Sequence, residues 1–448
     1  MGRDSTKISF VGLGYVGLCT ATVFATKGIQ VTGIDIDTER IQKLTKGEPP
    51  FHEPGLEPML KTAIKKKTIE FTTDIRSVAD GSTTFVTVGT PSNEDGSINL
   101  SYVKKATEDI GSAIRGKNSY ELIVVKSTVV PGTAIRVVKP ILESSSGKTL
   151  GDNLGLCSNP EFLAEGAAIK GTLKPDKIVI GAADEKSGAA LSKLYRRVYS
   201  GNKFPTIMTN PTTAETIKYA SNTFLATRVS TINTIANVCQ RLPEADVETV
   251  SRALGLDPRI GPLYLKAGPG YGGSCFHKDL QAFIAFSHSI DYDPVLLSAV
   301  EEVNQRQAEE VLKLCEKLLG SLADRRVSVL GLAFKKDTDD VREAASLRVI
   351  DQLVKKNARV SAYDPMAIET ARRVLPGTVE FAKDYKSCLA GSDCCILMTE
   401  WDEFRRLKPS LLKSIMKSPN IVDARRILDA DDFREFNYLA VGLGAPTS

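Results

Sequence analysis

The fold of this chain is decided by the stretch Lys7-Ile8-Ser9-Phe10-Val11-Gly12-Leu13-Gly14-Tyr15-Val16-Gly17. Its first five residues have the apolar character of a short buried strand, and the small apolar residues up to Ala25 predict a helix. A second strand is predicted at residues 31–34, and it ends at Asp35. A G-x-G-x-x-G motif between strand and helix, followed about twenty residues later by an acid, is typical of a dinucleotide-binding unit.

Each glycine of the motif has its own role. Gly12 allows a tight turn, Gly14 lets the backbone approach a pyrophosphate, and Gly17 lets the helix pack closely on the strand. The N-terminus of the helix then faces the phosphate charge. The carboxylate of Asp35 can accept hydrogen bonds from the adenosine ribose, and it would repel a 2′-phosphate. The sequence therefore predicts a site for NAD rather than NADP.

Strands and helices continue to alternate after the motif, which is the pattern of a parallel, doubly wound sheet. The loops after such strands form the ligand crevice, although their Ser and Thr residues are commonly just turn and cap residues. These loops are Val88-Gly89-Thr90-Pro91, Lys126-Ser127-Thr128 and Ser158-Asn159-Pro160-Glu161. Strands are predicted at residues 83–88, 122–126, 155–158 and 177–180, and helices at 102–114 and 134–142.

A single long helix is predicted at residues 211–242, and Thr212-Thr213-Ala214-Glu215 fits a capping box at its start. Glu215, Lys218 and Asn222 then lie on one helical face. Because apolar residues dominate the following turns, we expect a buried helix, in which Lys218 and Asn222 require polar partners. The alternative is an ion pair between Glu215 and Lys218 on the surface.

A second alternating block begins near Asp324, but no G-x-G-x-x-G follows its first strand. Lys335 and Lys336 stand there instead, which suits a phosphorylated ligand; the alternative is a pair of solvated lysines. We therefore expect an α/β fold of two Rossmann-like doubly wound domains joined by a long central helix, with domains at residues 1–205, 206–318 and 319–448. Strands are predicted at 327–330, 359–363, 394–398, 420–422 and 439–441, and a helix at 346–355.

A glycine-rich loop, Gly268-Pro269-Gly270-Tyr271-Gly272-Gly273-Ser274, precedes Cys275. Its flexible backbone can approach a ligand, and the neighbouring His277 and Lys278 can favour the thiolate of Cys275. A thiolate beside a hydride acceptor adds to an aldehyde, and the thiohemiacetal loses a hydride to give a thioester that water hydrolyses. The alternative is an inert cysteine in a turn.

Composition narrows the class of protein. The 448 residues carry a net charge of +4, with the basic residues scattered, which does not favour nucleic-acid binding. No signal peptide or membrane-spanning run is recognised in the sequence. Eight cysteines without paired, metal-like spacing, including Cys394 and Cys395 in a predicted strand, suggest a reducing, cytoplasmic location without disulfides or a metal site.

These residues together make the chain similar to the UDP-glucose 6-dehydrogenase family, within the wider group of UDP-glucose and GDP-mannose dehydrogenases. The resemblance covers nearly the whole chain. The family oxidises the C6 alcohol of a nucleotide sugar to a carboxylate with two NAD. The matching motifs are Gly12–Gly17, Glu53-Pro54-Gly55-Leu56, Val88-Gly89-Thr90-Pro91, Ser127-Thr128-Val129-Val130-Pro131-Gly132, residues 159–166, Lys218-Tyr219-Ala220-Ser221-Asn222, Gly272-Gly273-Ser274-Cys275-Phe276 with Lys278-Asp279, and Phe334-Lys335-Lys336-Asp337-Thr338.

The resemblance implies a role for each matching residue. Cys275 is the nucleophile, Glu161 is the acid/base of the thioester stage, and Thr128 holds the catalytic water. The polar cluster of Lys218, Asn222 and Asp279 handles protons and stabilises the oxyanion, with Asp279 orienting Lys218. The implied cofactor contacts are Gly12, Gly14, Tyr15, Val16, Gly17, Asp35, Arg40, Thr90, Thr128, Arg342 and Glu165, the last on the same helical face as Glu161. The implied substrate contacts are Glu161, Phe162, Leu163, Lys218, Asn222, Arg259, Tyr264, Lys266, Gly272, Lys335, Lys336 and Arg425.

The resemblance also implies a homodimer or a larger homo-oligomer, because Arg259 matches an arginine that contacts the partner's substrate. The chain departs from the common pattern at Tyr271, where Phe is frequent, at His277, where Pro is common, and at Arg426, where Asn is frequent. Ser274 before the cysteine favours UDP-glucose as the substrate. The alternatives are the same chemistry on GDP-mannose or another nucleotide sugar, a two-electron 3-hydroxyacid-type dehydrogenase, and an inactive NAD-binding regulatory protein.

Overall fold

The computed structural model describes residues 7–200, 202 and 204–445. The chain divides into two compact units, Met1–Ser221 and Asn222–Ser448. Each unit contains a sheet with helices on its faces, so the expected α/β class with two Rossmann-like sheets is confirmed. The predicted division into three domains stays a prediction.

The first unit is built on an eight-stranded sheet with the order β3-β2-β1-β4-β5-β6-β7-β8. Its first six strands are parallel, and their order has a switch point between β1 and β4, where ligands bind in folds of this kind. The expectation of a wholly parallel sheet is wrong at one edge, because β7 pairs antiparallel with β6. The strands are β1 Lys7–Val11, β2 Gln30–Ile34, β3 Ile69–Thr72, β4 Thr83–Val86, β5 Glu121–Val125, β6 Leu154–Ser158, β7 Ile178–Ala182 and β8 Thr206–Thr209.

Helices cover both faces of this sheet, and the central strands are therefore buried along their whole length. Phe10 and Phe85 stack at 4.7 Å on one face, against an edge of Phe24 from the first helix. The helices are α1 Tyr15–Thr26, α2 Thr38–Thr45, α3 Leu56–Lys65, α4 Ser101–Ala113, α5 Lys139–Ser146, α6 Ala168–Leu173 and α7 Glu185–Val198, with a 3₁₀ turn at Ile75–Asp80.

The helix predicted at residues 134–142 begins instead with a π-helical turn at Ala134–Val138, and α5 follows it. Pro140 explains the difference, because its ring would clash with the carbonyl group four residues earlier in a regular α-helix. The wider turn removes that clash without ending the helix.

The long helix α8 spans Pro211–Cys239. It was expected to continue to residue 242, but Pro243 disfavours helical geometry in the residue before it. The capping-box prediction is also wrong, since the Asn210 side chain accepts the Thr213 N–H at 2.8 Å. Glu215 is instead 2% exposed and accepts the N–H groups of Gly132 and Ala134 at 2.6 and 2.9 Å, which rules out the alternative of a surface pair.

The second unit is built on a six-stranded parallel sheet with the order β11-β10-β9-β12-β13-β14, the same winding as the first six strands of the first unit. The long α11 packs on it with α12. The strands are β9 Arg326–Leu330, β10 Arg359–Tyr363, β11 Glu380–Phe381, β12 Cys394–Leu397, β13 Asn420–Asp423 and β14 Asn437–Ala440. The helices are α9 Val247–Leu256, α10 Phe276–Ser289, α11 Val295–Leu319, α12 Ala345–Lys355, α13 Ile368–Arg372, α14 Tyr385–Leu389 and α15 Pro409–Ile415, with a 3₁₀ turn at Phe404–Arg406.

Cys394 and Cys395 lie buried in β12, as predicted. The eight cysteines all carry thiols, and seven of them are buried. Within the described ranges, no helix is both long enough and apolar enough to cross a bilayer.

Candidate active site

The first turn of the first unit has the geometry of a dinucleotide site. Gly12 has φ of +96°, and a Cβ atom there would lie 2.7 Å from the nitrogen of Val88. A Cβ atom on Gly17 would lie 2.0 Å from the carbonyl oxygen of Gly12, so this position requires glycine for packing. A Cβ atom on Gly14 would meet nothing within 4 Å, which leaves open space at the N-terminus of α1. The three positions therefore fit the tight turn, close packing and ligand approach expected of NAD binding.

Asp35 is buried at the end of β2 and is held by three donors. The N–H groups of Leu13 and Asp37 donate to its carboxylate at 2.7 and 3.0 Å, and Nη1 of Arg40 lies 2.8 Å from Oδ2. Its neighbour Ile36 is 91% exposed, although large apolar side chains are usually buried. Ile36 thus offers an exposed apolar surface beside the Asp35 carboxylate, and no motif in the sequence predicts it.

We expect Asp35→Ser to narrow the preference for NAD over NADP by about tenfold, or ~1.4 kcal/mol. The change removes the carboxylate that repels a 2′-phosphate, and it leaves the Arg40 guanidinium without its 2.8 Å partner. The measurement is kcat/KM with each cofactor. Asp37→Ser is the matched control, because it removes a nearby charge while keeping a side chain that can cap α2. An unchanged preference in Asp35→Ser would contradict the assigned role of Asp35.

Tyr15 lies at the start of α1 and its hydroxyl donates to the carboxylate of Glu53. Glu53 is buried and also accepts the N–H groups of Gly166 at 2.7 Å and Ile169 at 3.3 Å. Burial and the Glu53 carboxylate raise the pKa of Tyr15, so its hydroxyl stays protonated. Glu53 thus ties the segment after Glu161 to the first turn of α1, a role that its motif alone did not reveal.

Glu161 and Lys218 form a buried ion pair in the first unit, with Oε1 and Nζ 2.7 Å apart. The Leu163 N–H donates to the other carboxylate oxygen, and the Lys218 ammonium lies 5.7 Å from the ring centre of Phe162. Burial alone would raise the pKa of Glu161, but the attraction and hydrogen bond of Lys218 outweigh it and bring the pKa below its ordinary value. Glu161 is therefore an ionised carboxylate held beside an ammonium group.

The segment from Glu161 to Glu165 is not helical, because the next helix, α6, begins only at Ala168. The expectation that Glu161 and Glu165 share a helical face is therefore wrong. The hydrogen bonds from this segment to Glu53 and Tyr15 hold the backbone in an irregular turn instead.

Thr128 and Glu161 follow neighbouring strands. Strands β5 and β6 are parallel and in register up to Val125 and Ser158, so the loops after them leave the same edge of the sheet. Lys126 joins these loops, since its buried ammonium donates to Oδ1 and the carbonyl of Asn159 at 3.0 and 3.3 Å. Burial lowers the pKa of Lys126 to about 8, against the opposing effect of Glu161. The sequence predicts Lys126 at the end of a strand and in a loop of the ligand crevice, but it does not predict the hydrogen bonds to Asn159.

Cys275 occupies the position just before α10 in the second unit, and it is the half-buried thiol of the eight. The positive end of a helix dipole favours a thiolate there. Oγ of Ser274 lies 3.5 Å from its sulfur. Gly270 and Gly273 have φ of +105° and +83°, and a Cβ atom on Gly270 would lie 2.6 Å from Oδ1 of Asn304. The loop therefore needs its glycines to place the thiol.

Asp279 lies one turn after Cys275 and is buried. The Asn222 amide donates to its Oδ2 at 2.6 Å, and the Lys278 ammonium donates to its Oδ1 at 2.6 Å. Asn222 and Asp279, two members of the expected polar cluster, thus contact each other in the second unit. The third member, Lys218, contacts Glu161 in the first unit. Lys218 and Asn222 lie about one turn apart on the continuous helix α8. The expected orientation of Lys218 by Asp279 stays a prediction.

The expected substrate residues of the second unit lie in several segments. The Arg425 guanidinium donates to the carbonyl oxygens of Met398 and Phe334 at 2.9 Å, and it lies 3.4 Å from a Cβ atom built on Gly268. Arg425 therefore links the second sheet to the start of the glycine-rich loop. The Lys335 ammonium lies 5.3 Å from the ring centre of Phe334, and Lys336 is partly exposed with Nζ 3.3 Å from Asp402.

The remaining expected contacts are on the surface or in loops. Arg259 is exposed and pairs with Asp257 at 2.6 Å, and Arg342 pairs with Asp340 at 2.7 Å. Tyr264 has φ of +60° and its ring centre lies 6.2 Å from that of Phe276. Lys266 is exposed, Gly272 is partly buried and Thr90 is buried in the first unit. Their ligand contacts stay predictions.

Comparison with known proteins places these features in a family. The sequence matches the UDP-glucose/GDP-mannose dehydrogenase family at its NAD binding domain over residues 6–199, its central domain over 212–306 and its UDP binding domain over 328–430. The chain is 39% identical over 441 residues to UDP-glucose 6-dehydrogenase TuaD of Bacillus subtilis, with 98% of this chain and 93% of the relative covered. It is 39% identical over 435 residues to UDP-glucose 6-dehydrogenase AglM of Haloferax volcanii, with 97% and 100% covered.

A solved structure of a UDP-glucose dehydrogenase from Pyrobaculum islandicum has the same fold. The TM-score is 0.91 at 39% sequence identity, and the match covers 99% of both chains. The family models account for the dinucleotide fingerprint of the first unit and for the second sheet. The chain therefore belongs to the UDP-glucose/GDP-mannose dehydrogenase family.

Proposed function

We propose that the chain oxidises the C6 alcohol of UDP-glucose to the carboxylate of UDP-glucuronate, with two NAD per turnover. The observation that carries this proposal is Cys275, a half-buried thiol at the start of α10, placed by a glycine-rich loop in a chain with an NAD fingerprint. Its relatives named UDP-glucose 6-dehydrogenase favour UDP-glucose over the alternative, GDP-mannose.

In the first oxidation, a base must remove the proton of the alcohol, and the alkoxide then loses a hydride. Each of the two hydrides would be taken up by a separate NAD held at the first-unit fingerprint, so that one NAD is used in each oxidation. Lys218 and Asn222 lie one turn apart on α8, and an ammonium and an amide donor suit a developing alkoxide. The carboxylate of Glu161 keeps the buried Lys218 charged, and that of Asp279 orients the Asn222 amide. The product of this step is an aldehyde.

In the second oxidation, the thiolate of Cys275 adds to the aldehyde carbon and the oxygen becomes the alkoxide of a thiohemiacetal. Loss of a hydride from this species leaves a thioester, which needs an activated water to release the acid. Glu161 is ionised and can accept a proton from that water, and Thr128 follows the neighbouring strand and can hold it. The overall change consumes one water and gives a carboxylate and two NADH.

The test is a panel of nucleotide sugars with the purified protein and NAD. We expect UDP-glucose to give the highest kcat/KM, with GDP-mannose and UDP-N-acetylmannosamine far below it. NADP should replace NAD poorly. No NADH formation with UDP-glucose would overturn the proposal, and one NADH per sugar with a stable aldehyde would favour a two-electron dehydrogenase.

On the substrate side, we propose that Lys335 and Lys336 bind the diphosphate and that Lys266, Gly272 and Arg425 contact the nucleotide sugar. An ammonium is a point charge suited to phosphate.

We expect Lys335→Ala or Lys336→Ala to raise the KM for UDP-glucose about tenfold. This change corresponds to a loss of ~1.4 kcal/mol of binding free energy. NAD binding should be nearly unchanged, because the fingerprint lies in the first unit. The measurements are the KM for the sugar and the Kd for NAD. Lys317→Ala is the control, since it removes an exposed lysine from the last turn of α11. An unaltered KM in both single variants would remove these lysines from the site.

We also propose a homodimer or larger homo-oligomer in which Arg259 contacts the partner's substrate. Several large apolar side chains near this residue are exposed, and exposed apolar surface of this kind marks interaction sites. Leu256 and Leu263 flank Arg259, and Phe224 is exposed on α8.

We place the protein in the cytoplasm because its eight cysteines are thiols. The three proposed domains are residues 1–205, 206–318 and 319–448.

A further inference from the structure

His277 lies two residues after Cys275, in the first turn of α10. It is partly buried, and carboxylates from two other segments face its ring. Nδ1 lies 2.6 Å from Oε1 of Glu301 on α11, and Nε2 lies 3.9 Å from Oε2 of Glu343 in the segment before α12. The ring therefore stands between α11 and the segment before α12.

The short distance to Glu301 determines the protonation of the ring. A nitrogen and a carboxylate oxygen 2.6 Å apart favour a proton on the nitrogen, because two lone pairs at this distance would repel each other, although the N–H direction does not meet hydrogen-bond geometry. Because Nε2 also faces a carboxylate, the doubly protonated imidazolium satisfies both sides. Glu301 is itself buried and fixed by the Gln305 amide at 3.0 Å and the Tyr271 hydroxyl at 3.4 Å.

The segment that carries Glu343 is packed directly against the glycine-rich loop. The Gly273 N–H donates to the carbonyl of Arg342 at 2.8 Å, and a Cβ atom on Gly272 would lie 2.5 Å from the carbonyl oxygen of Glu343. Glu343 has φ of +52°, an unfavourable value for a residue with a side chain, so its conformation depends on these contacts. A charge on His277 thus acts on both sides of the loop that ends at Cys275.

The other charged groups around the ring are paired. Arg348 on α12 lies 3.6 Å from the Glu343 carboxylate, and Arg342 pairs with Asp340. On α10 itself, Lys278 pairs with Asp279. The two carboxylates that face the ring therefore remain its main electrostatic partners, with Arg348 as the one opposing charge.

We propose that His277 is a positioning residue whose imidazolium ties the Cys275 turn to Glu301 and Glu343, and whose deprotonation loosens the thiol from its reactive position. The inference rests on the proposed function for the role of Cys275.

The direction of the pH response follows from the ring's partners. The close contact of Nδ1 with Glu301, opposed by burial and aided by the charges of Glu301 and Glu343, raises the pKa of His277 above 6.5. Because this pKa is raised, the stabilisation of the Cys275 turn by the charged His277 ring is fully present below the ordinary histidine pKa. It is lost as the pH rises through the pKa of His277 in the folded protein. The loop is therefore held below the pH at which His277 titrates and released above it.

The first test follows the ring and the thiol without any turnover. The chain has three histidines, so a ¹³C-histidine NMR titration of the full-length protein can be assigned with His277→Gln and His288→Gln. His288 is exposed at the other end of α10 and serves as the matched control. In parallel, the rate of Cys275 alkylation by iodoacetamide is measured against pH by mass spectrometry of its peptide.

We expect the alkylation profile of the wild type to show two inflections, one from the thiol and one at the pH where the His277 signal titrates. The second inflection should be absent in His277→Gln and retained in His288→Gln. Glu343→Gln removes one partly exposed charge at 3.9 Å, and it should move both the NMR titration and the second inflection to lower pH by about one unit. This variant keeps the test valid if His277→Gln folds poorly.

The second test is the pH profile of kcat/KM for UDP-glucose. In the wild type, kcat/KM should fall as the pH rises through the value at which His277 titrates. In His277→Gln, kcat/KM should be about tenfold lower at neutral pH, and this decrease at higher pH should be absent. Superimposable alkylation profiles of wild type and His277→Gln, or titration of His277 at or below pH 6.5, would overturn the inference. Alkylation of Cys275 requires no substrate. An inactive wild type would therefore contradict the proposed function, while the alkylation profiles would still test the role of His277.

Discussion

Cys275→Ser is expected to lower the rate of UDP-glucuronate formation by about three orders of magnitude or more while both ligands still bind. A serine hydroxyl has nearly the size of the thiol, so the loop can keep its shape. An alkoxide is, however, far less populated than a thiolate at neutral pH, and an oxygen ester hydrolyses more slowly than a thioester. The change therefore removes the nucleophile without removing the site.

The measurement is the number of NADH molecules formed per UDP-glucose, together with the identity of the sugar product. The wild type should form two NADH and a carboxylate, with little free aldehyde. Mass spectrometry of Cys275→Ser with substrate and NAD could detect a covalent ester of the sugar acid. Cys275→Ala should oxidise the alcohol to the aldehyde only weakly. Cys239→Ser is the control, because this thiol lies at the far end of α8, is buried, and has no proposed role.

A wild type that releases one NADH and an aldehyde would show that the covalent mechanism is wrong. Full acid production by Cys275→Ala would lead to the same conclusion. The chain would then be a two-electron dehydrogenase with the same first unit.

The two sheets were largely predictable because local chemistry determines them. Gly12, Gly14 and Gly17 each have one physical role, and the apolar runs before and after this motif produce buried parallel strands. Strand direction was not predictable, because the antiparallel pairing of β7 with β6 leaves no mark on apolar periodicity. The π-helical turn before Pro140 was also missed, since a proline predicts a disturbance without determining its form.

The site was predictable in its residue types and less so in its pairings. Spacing on α8 placed Lys218 and Asn222 on one face, but their partners Glu161 and Asp279 are each 57 residues away in sequence. The same limit explains Glu215, whose partners are backbone N–H groups of a distant loop rather than the start of its own helix. Only tertiary contacts select among such long-range partners, and the resemblance to a family supplied the roles that spacing did not.

Glu161→Gln is expected to slow release of the acid by about 10²–10⁴-fold, the contribution typical of a positioned acid/base. The amide keeps the size of the carboxylate and can still accept from the Leu163 N–H. It cannot accept a proton from water, so the thioester on Cys275 should accumulate. Because the pKa of Glu161 lies below its ordinary value, the wild-type carboxylate remains ionised at neutral pH and is ready for this task.

The measurements are the time course of NADH formation and mass spectrometry of the Cys275 peptide. We expect a rapid burst of up to two NADH per active site, then slow turnover, and an acylated Cys275 peptide. Loss of the carboxylate also leaves the Lys218 ammonium buried without its 2.7 Å partner, which costs ~3–5 kcal/mol of stability. Thermal unfolding and NAD binding must therefore be compared in the same variant. Glu161→Asp is the conservative control, since it retains the charge and should recover part of the release rate. A linear NADH trace at the wild-type rate, without acylated Cys275, would show that another group activates the water.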